Sequence, residues 1–203
     1  MDPCPALSGP SPASFVRALW FGPLSSSQPN DLDYDSPAWP ITLIHQILAC
    51  TINLTSLAVV LLGQRTWHRL AGIDYPHLSC APALRTVTSL DTFMVDAEVR
   101  ALVHAPSTVR AVRRVYSNVS PAELAFAQLA CVDDAAPALE RFEIVCYAAT
   151  ATGARASLDA IAEGWEFDRE RVVLVGKEQV VDSDGRTNSV AAFHADWLGY
   201  VPL

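Results

Sequence analysis

Residues 171–197, RVVLVGKEQVVDSDGRTNSVAAFHADW, contain two apolar runs separated by an Asp-Gly pair. Such a pair between apolar runs favours a tight β-hairpin turn, here at Asp184 and Gly185. We therefore expect two antiparallel strands in this segment. This hairpin determines the fold class that we predict, because it would close the sheet that the preceding elements begin.

The second run of the hairpin carries a candidate active site. His194 and Asp196 are two residues apart, so they share one face of a strand whichever register the turn sets. A half-buried imidazole beside a carboxylate can act as a general acid or base, with Asp196 orienting His194. Tyr147 and Tyr200 are candidate hydrogen-bond donors to the same site. The alternative is that this face of the hairpin only meets water.

The segments before the hairpin have clear local signals. The run 142–150, FEIVCYAAT, predicts a buried strand, and 153–167, GARASLDAIAEGWEF, predicts an amphipathic helix. Residues 120–123, SPAE, have the pattern of a capping box and predict the start of another helix. Further back, 83–95 is compatible with a strand, and Asp96 can cap a helix that begins at Ala97.

This order of elements predicts an α+β fold, in which helices precede a strand-helix-hairpin unit and a curved, mainly antiparallel sheet packs on the helices. The order over residues 96–203 resembles the cone-shaped nuclear-transport-factor-2-like fold. That resemblance implies an apolar pocket inside the sheet, and hence a small hydrophobic molecule that is bound or processed by acid–base chemistry. The rival hypothesis is a non-enzymatic interaction or accessory protein in which residues 41–62 insert in a membrane or dock on a partner protein.

Three arginines form a second candidate site. Ser107 can cap a helix on which Arg110, Arg113 and Arg114 share one face at spacings of three and four residues. This cluster could bind a phosphate, a nucleic acid or an acidic partner. It could equally be a solvated helix face.

The run 41–62, ITLIHQILACTINLTSLAVVLL, contains no Asp, Glu, Lys or Arg. Its length suffices to cross a bilayer, and the charges around it would then place the C-terminal body in the cytoplasm. Its polar residues, however, cluster on one side of a helix, which favours an amphipathic helix buried in the core or lying at a membrane interface. The end of the run also suits a strand, so a helix followed by a buried strand is a further alternative.

Composition restricts the classes of function. The chain has 203 residues, 51% of them hydrophobic, which suits one domain over 39–203 after an irregular, proline- and serine-rich arm at 1–38. The net charge of −8 disfavours nucleic-acid binding by the whole surface. Five scattered cysteines without a C-x-x-C motif predict free thiols in a cytoplasmic protein, or in a membrane-associated one if 41–62 inserts. We find no motif for a metal or a cofactor.

Overall fold

The structure is a computed structural model that describes residues 11–22, 41–61, 83–103, 107–131, 138–181, 185, 187 and 189–200. These residues form six strands and five α-helices. The strands are β1 (Ala18–Phe21), β2 (Ser56–Val60), β3 (Thr86–Leu90), β4 (Ala111–Tyr116), β5 (Arg141–Ala148) and β6 (Val172–Glu178). The helices are α1 (Ile41–Cys50), α2 (Asp96–Val103), α3 (Ala122–Ala127), α4 (Ala151–Ala162) and α5 (Ser189–Tyr200).

All six strands pair in parallel, in the order β1-β2-β3-β4-β5-β6. The predicted α+β fold with a mainly antiparallel sheet is therefore wrong, and so is the cone-like arrangement. The architecture is of the α/β type. The physical reason for the error is that strands of a covered parallel sheet are apolar on both faces. All five residues of β2, for example, are buried, and such a run does not distinguish parallel from antiparallel pairing.

The second arm of the predicted hairpin is a helix. The strand β6 forms as predicted, and an isolated antiparallel bridge joins Val181 to Thr187, but the chain then continues as α5. Phe193 and Trp197 lie on one side of either a strand or a helix, because four residues are two strand periods and about one helical turn. Val190 lies three residues before Phe193 and is buried in the same core. That spacing fits a helix and not a strand.

The segment 111–116 forms β4, where the sequence predicted a helix. Val112 packs in the core on one face of the sheet and Val115 in the core on the other. Residues three apart share a helix face but lie on opposite faces of a strand. Because β4 lies inside the sheet, both of its faces need apolar side chains. Apolar residues three positions apart then serve opposite faces, and their spacing resembles that of an amphipathic helix.

The two faces of the sheet are covered differently. Helices α1 to α4 contribute to a core on one face, here called the helix face, through residues that include Leu48, Val99, Phe126 and Leu158. The last helix packs on the opposite face, here called the α5 face. Crossovers between neighbouring parallel strands are almost always right-handed, so strands added in one direction place their connecting helices on one face. The helix α5 follows the last described strand and is free of that constraint.

Several local predictions are confirmed. The run 41–62 contains α1 followed by the buried strand β2, which is one of the alternatives that the sequence left open. Within the described residues, the structure contains no helix with the length and hydropathy needed to cross a bilayer. The elements β3, α2, α3, β5 and α4 also form where predicted, although Ser120 makes no capping hydrogen bond to α3. Cys50 and Cys146 are free thiols.

Of the predicted arm, residues 11–22 are described, and they contribute β1 as the first edge strand of the sheet. The remainder of the arm, residues 1–10 and 23–38, lies outside the described residues.

Candidate functional site

The candidate site lies where α5 crosses the α5 face of the sheet. The ring of Trp20 in β1 contacts those of Phe193, His194 and Trp197, with centroids 5.2, 4.8 and 5.5 Å apart. Five strands contribute an apolar row, in register, to the core that holds Phe193: Val60, Leu90, Val115, Val145 and Val175. These contacts fix one side of α5 and leave its other side above the charged residues of β4, β5 and β6.

Arg113 is the centre of a buried ion network on this face. Its register partner in the adjacent strand is Glu143. The Nε atom of Arg113 donates to Oε2 of Glu143 at 2.9 Å, and its Nη2 atom donates to Oδ2 of Asp196 in α5 at 2.5 Å. The side chains of Arg113 and Glu143 are only 4% and 3% exposed. The network therefore ties the middle of the sheet to the covering helix.

Two further cations extend the network towards solvent. Arg141 Nε lies 2.5 Å from Oε1 of Glu143, and Lys177 Nζ donates to Oδ1 of Asp196 at 2.7 Å. The side chains of Arg141 and Lys177 are 50% and 39% exposed. The ring of Tyr200 lies 4.8 Å from the guanidinium carbon of Arg113, in cation–π geometry. Each carboxylate thus bridges the buried Arg113 and one more accessible cation. For Glu143 the accessible cation is Arg141, and for Asp196 it is Lys177.

These residues line an open cleft of about 500 Å3 between α5 and strands β4 to β6. Its walls are formed by Arg113, Arg141, Glu143, Val175, Lys177, Ala195, Asp196, Gly199 and Tyr200. Among them, three cations face two carboxylates, so the cleft carries an excess of one positive charge. The chain as a whole carries a net charge of −8.

Buried polar atoms without a hydrogen-bond partner are concentrated on the α5 face. Seven such side-chain atoms occur in the described residues, and five of them belong to residues that point to this face: Ser56 Oγ, Thr88 Oγ1, Arg113 Nη1, Tyr147 Oη and Trp197 Nε1. A buried polar group that lacks a partner loses its hydrogen bonds to water without replacement. The α5 face therefore has more buried polar atoms without a hydrogen-bond partner than the helix face has.

Three ionisable groups in or beside the cleft, Asp196, Tyr147 and Tyr200, have pKa values shifted further from neutral pH. Burial alone would raise the pKa of Asp196, but the hydrogen bond from Lys177 and the charge of Arg113 outweigh it and hold that pKa below its ordinary value. Burial raises the pKa of Tyr147, and the charge of Asp196 raises it further. Burial and the charge of Glu143 likewise raise the pKa of Tyr200.

The structure separates His194 from Asp196. In α5 these residues are two positions apart, which turns their side chains about 200° from each other around the helix axis. His194 packs edge-on against Trp20, whereas Asp196 bonds to Arg113 and Lys177. The expectation that the two share a face is wrong, because it depended on the strand. A catalytic role for either residue stays a prediction.

The three predicted arginines are separated as well. Arg110 precedes β4 and forms an exposed ion pair with Glu140. Arg113 and Arg114 are adjacent in a strand and point to opposite faces of the sheet. Arg114 is buried on the helix face, where Nη1 donates to Gln128 Oε1. The prediction that the three arginines share a helix face is therefore wrong. Of the three, the structure places only Arg113 in the cleft.

Three residues of the cleft, Arg141, Glu143 and Lys177, were missed by the sequence analysis. Arg141 and Glu143 stand at alternate positions at the start of an otherwise apolar strand. That alternation is a signal for one charged side of the strand, but it identifies a site only when Arg113 is known to lie beside Glu143. The predicted antiparallel sheet did not include the parallel pairing that places Arg113 beside Glu143.

Within the described residues, no group of three or more His, Cys, Asp or Glu side chains converges as a metal site would. The chain matches no family model, no curated protein and no solved structure.

Proposed function

We propose that the protein is a non-enzymatic binding module that recognises an oxyanion, either a carboxylate or a phosphate, in the cleft beside α5. The observation that supports this most is the charge of the cleft, in which three cations face two carboxylates. An incoming anion would balance the remaining positive charge. Of the residues singled out in the sequence, Arg113, Asp196 and Tyr200 line this proposed site, and Tyr147 lies next to it.

The geometry of the cations suits an oxyanion. Arg113 is held by Glu143 and Asp196 and covered by the ring of Tyr200, and its Nη1 atom has no partner. Because its Nη1 atom is buried, Arg113 attracts an anion through its charge, whereas the half-exposed planar guanidinium of Arg141 can match the oxygens of a carboxylate or phosphate directly. The accessible cations Arg141 and Lys177 can adjust around the ligand.

Binding fits the cleft better than acid–base catalysis. A general acid or base works best with a pKa near the operating pH. The lowered pKa of Asp196 makes it a weak base, and the raised pKa values of Tyr147 and Tyr200 keep their hydroxyls protonated. The small hydrophobic ligand expected from the sequence depended on the cone-like fold. Five of the nine residues that line this cleft are charged.

The proposal can be tested with one NMR signal, because Lys177 is the single lysine in the chain. Isotope labelling of lysine in the full chain gives one side-chain resonance in the cleft. Titration with inorganic phosphate and, separately, with succinate should shift this resonance saturably, and the ratio of the two affinities distinguishes phosphate from carboxylate recognition. Arg141→Gln should weaken binding by about tenfold or more, as expected for the loss of a charged hydrogen bond.

The matched control is Arg155→Gln. Arg155 is 51% exposed, against 50% for Arg141, and it also pairs with a carboxylate, but it lies on α4 over the helix face. Its loss should leave the affinity unchanged. If neither anion shifts the Lys177 signal, or if both substitutions weaken binding equally, the proposed site does not exist.

A further inference from the structure

We propose that the α5 face is a docking surface for an acidic amphipathic helix of a partner protein, and that α5 occupies this surface in the free chain. In this arrangement Asp196 takes the place of a carboxylate on the partner's helix. The inference rests on the oxyanion recognition proposed above, because both proposals require the cations of this cleft to bind an external anion, here the partner's carboxylate in the position of Asp196.

The first argument is the excess of buried polar atoms without a partner on the α5 face. Five of the seven buried polar atoms without a partner in the described residues point to the α5 face, and one of them, Trp197 Nε1, belongs to α5 itself. The four helices on the opposite face cover a core where the remaining two, on Arg114 and Tyr116, are found. A helix that leaves buried groups unsatisfied is bound less tightly than its apolar contacts alone would suggest.

The second argument is the place of α5 in the chain. The helices α2, α3 and α4 each connect two paired strands, so their release would disturb the sheet. The helix α5 follows β6, and all the strand pairings described are complete without it. Such an element can open as a separate unit while the rest of the domain stays folded.

The third argument is the surface under α5. Five neighbouring strands contribute one apolar residue each to a continuous row, Val60, Leu90, Val115, Val145 and Val175. Beside this row lie the cations of the cleft, Arg113 and Lys177 among them. An apolar strip flanked by positive charge is complementary to a helix with apolar residues on one side and a carboxylate at its border.

The sequence of α5 shows what such a partner would carry. Val190, Phe193 and Trp197 pack on the sheet at positions i, i+3 and i+7. Asp196 immediately precedes the last of these and bonds to two cations. The partner helix should therefore present three apolar residues at this spacing, at least one of them aromatic, with an acidic residue one position before the third.

The test uses the full chain and a labelled peptide with the sequence of residues 189–200, added in trans. Asp196→Asn removes the negative charge that holds α5 and leaves the shape of the side chain intact. The peptide should bind the Asp196→Asn protein at least about tenfold more tightly than the wild-type protein, and a peptide with Asn in place of its Asp should lose this gain. Asp159→Asn, which alters an exposed carboxylate on α4, is the control and should bind like wild type.

A second measurement does not depend on any variant. The helices α4 and α5 both have 12 residues, and their amide hydrogen exchange can be compared in the wild-type chain. Exchange in α5 should be at least about tenfold faster than in α4, because α5 opens on its own. Equal protection of the two helices, or equal peptide affinity for wild type and Asp196→Asn, would overturn the inference.

The two proposals fail separately. If phosphate or succinate shifts the Lys177 signal but the peptide does not bind, oxyanion recognition stands and the docking surface is rejected. If the peptide binds but neither small anion does, the apolar row alone carries the interaction, and Asp196 does not stand in for a ligand.

Discussion

Arg113 and Arg114 are neighbours in sequence, and both are almost completely buried, yet their surroundings differ. Strand alternation sends Arg113 to the α5 face, where Glu143 and Asp196 balance its charge. Arg114 points to the helix face, where its hydrogen bonds go to an amide oxygen and a backbone carbonyl, and burial lowers its pKa. Residue type alone does not distinguish these roles, because the face that each side chain meets depends on the strand.

The buried ion pair gives a prediction for stability. Arg113→Met should lower the free energy of unfolding by about 2–4 kcal/mol, because it leaves the buried carboxylate of Glu143 with the half-exposed Arg141 as its remaining partner. Arg110→Met, which removes an exposed partner of Glu140, should cost only about 0–1 kcal/mol. Urea unfolding of both variants measures the difference. Similar losses in the two proteins would mean that Arg113 is not the centre of a buried network.

Asp196 predicts how the attachment of α5 depends on pH. A carboxyl group whose pKa is lowered on folding contributes stability above its ordinary pKa, and this contribution disappears as the pH falls through the folded value. The difference in free energy of unfolding between wild type and Asp196→Asn should therefore be largest above about pH 4 and should shrink below it. Urea unfolding between pH 2 and 6 provides the curve. A difference that does not change with pH would contradict the assignment.

Among the elements, the sequence correctly predicted those whose pattern of apolar residues is compatible with either a helix or a strand, but not with both. The helix α4 has a helical spacing of apolar residues and a capping threonine, Thr150, and β5 is a long apolar run. The segment 111–116, AVRRVY, has a helical spacing of valines although it forms a strand. In α5 the spacing of Phe193 and Trp197 fits both a strand and a helix. The structure of both segments is decided by burial on the two faces of the sheet, which is a property of the assembled fold. The candidate site depends on these same two segments, and for that reason only part of it could be predicted.

Two glycines should respond in opposite ways to an added methyl group, because one packs closely against α4 and the other does not. A Cβ atom at Gly176 would overlap the backbone carbonyl oxygen of Ala151 and the backbone nitrogen of Arg155. Gly176→Ala should therefore destabilise the protein by about 1–3 kcal/mol. Gly199 lies in α5 with no atom near the added methyl group, so Gly199→Ala should stabilise by roughly 0.5–1 kcal/mol. Thermal unfolding of both variants tests the pair, and a neutral Gly176→Ala would show that α4 is not packed this closely.

For the whole molecule, the strand order could not be read from local patterns. Each strand signal in the sequence is compatible with many orders, and only the connecting helices and the handedness of their crossovers select one. The order found here never reverses among the described strands. Ligand crevices in open α/β sheets usually form where the strand order reverses. The cleft described here arises instead from a helix laid over one face.

The monotonic order predicts a gradient of protection against hydrogen exchange. Strands β2, β3, β4 and β5 have a partner on both sides, whereas β1 and β6 form the edges. When neighbouring units contact mainly one another, opening begins at the ends and moves inward. Amides of β4 should exchange most slowly and those of the four-residue strand β1 most rapidly among the strands. Uniform protection across the sheet would indicate a single cooperative unit instead.

The same strand order has a consequence for synthesis on the ribosome. Each strand after the first pairs with the one made just before it, so the sheet can grow as the chain emerges, without waiting for a distant segment. The apolar row on the α5 face is completed when β6 appears, whereas α5 is the last described element to be made. For that interval the nascent sheet presents an uncovered apolar surface, which is the kind of surface that chaperones bind.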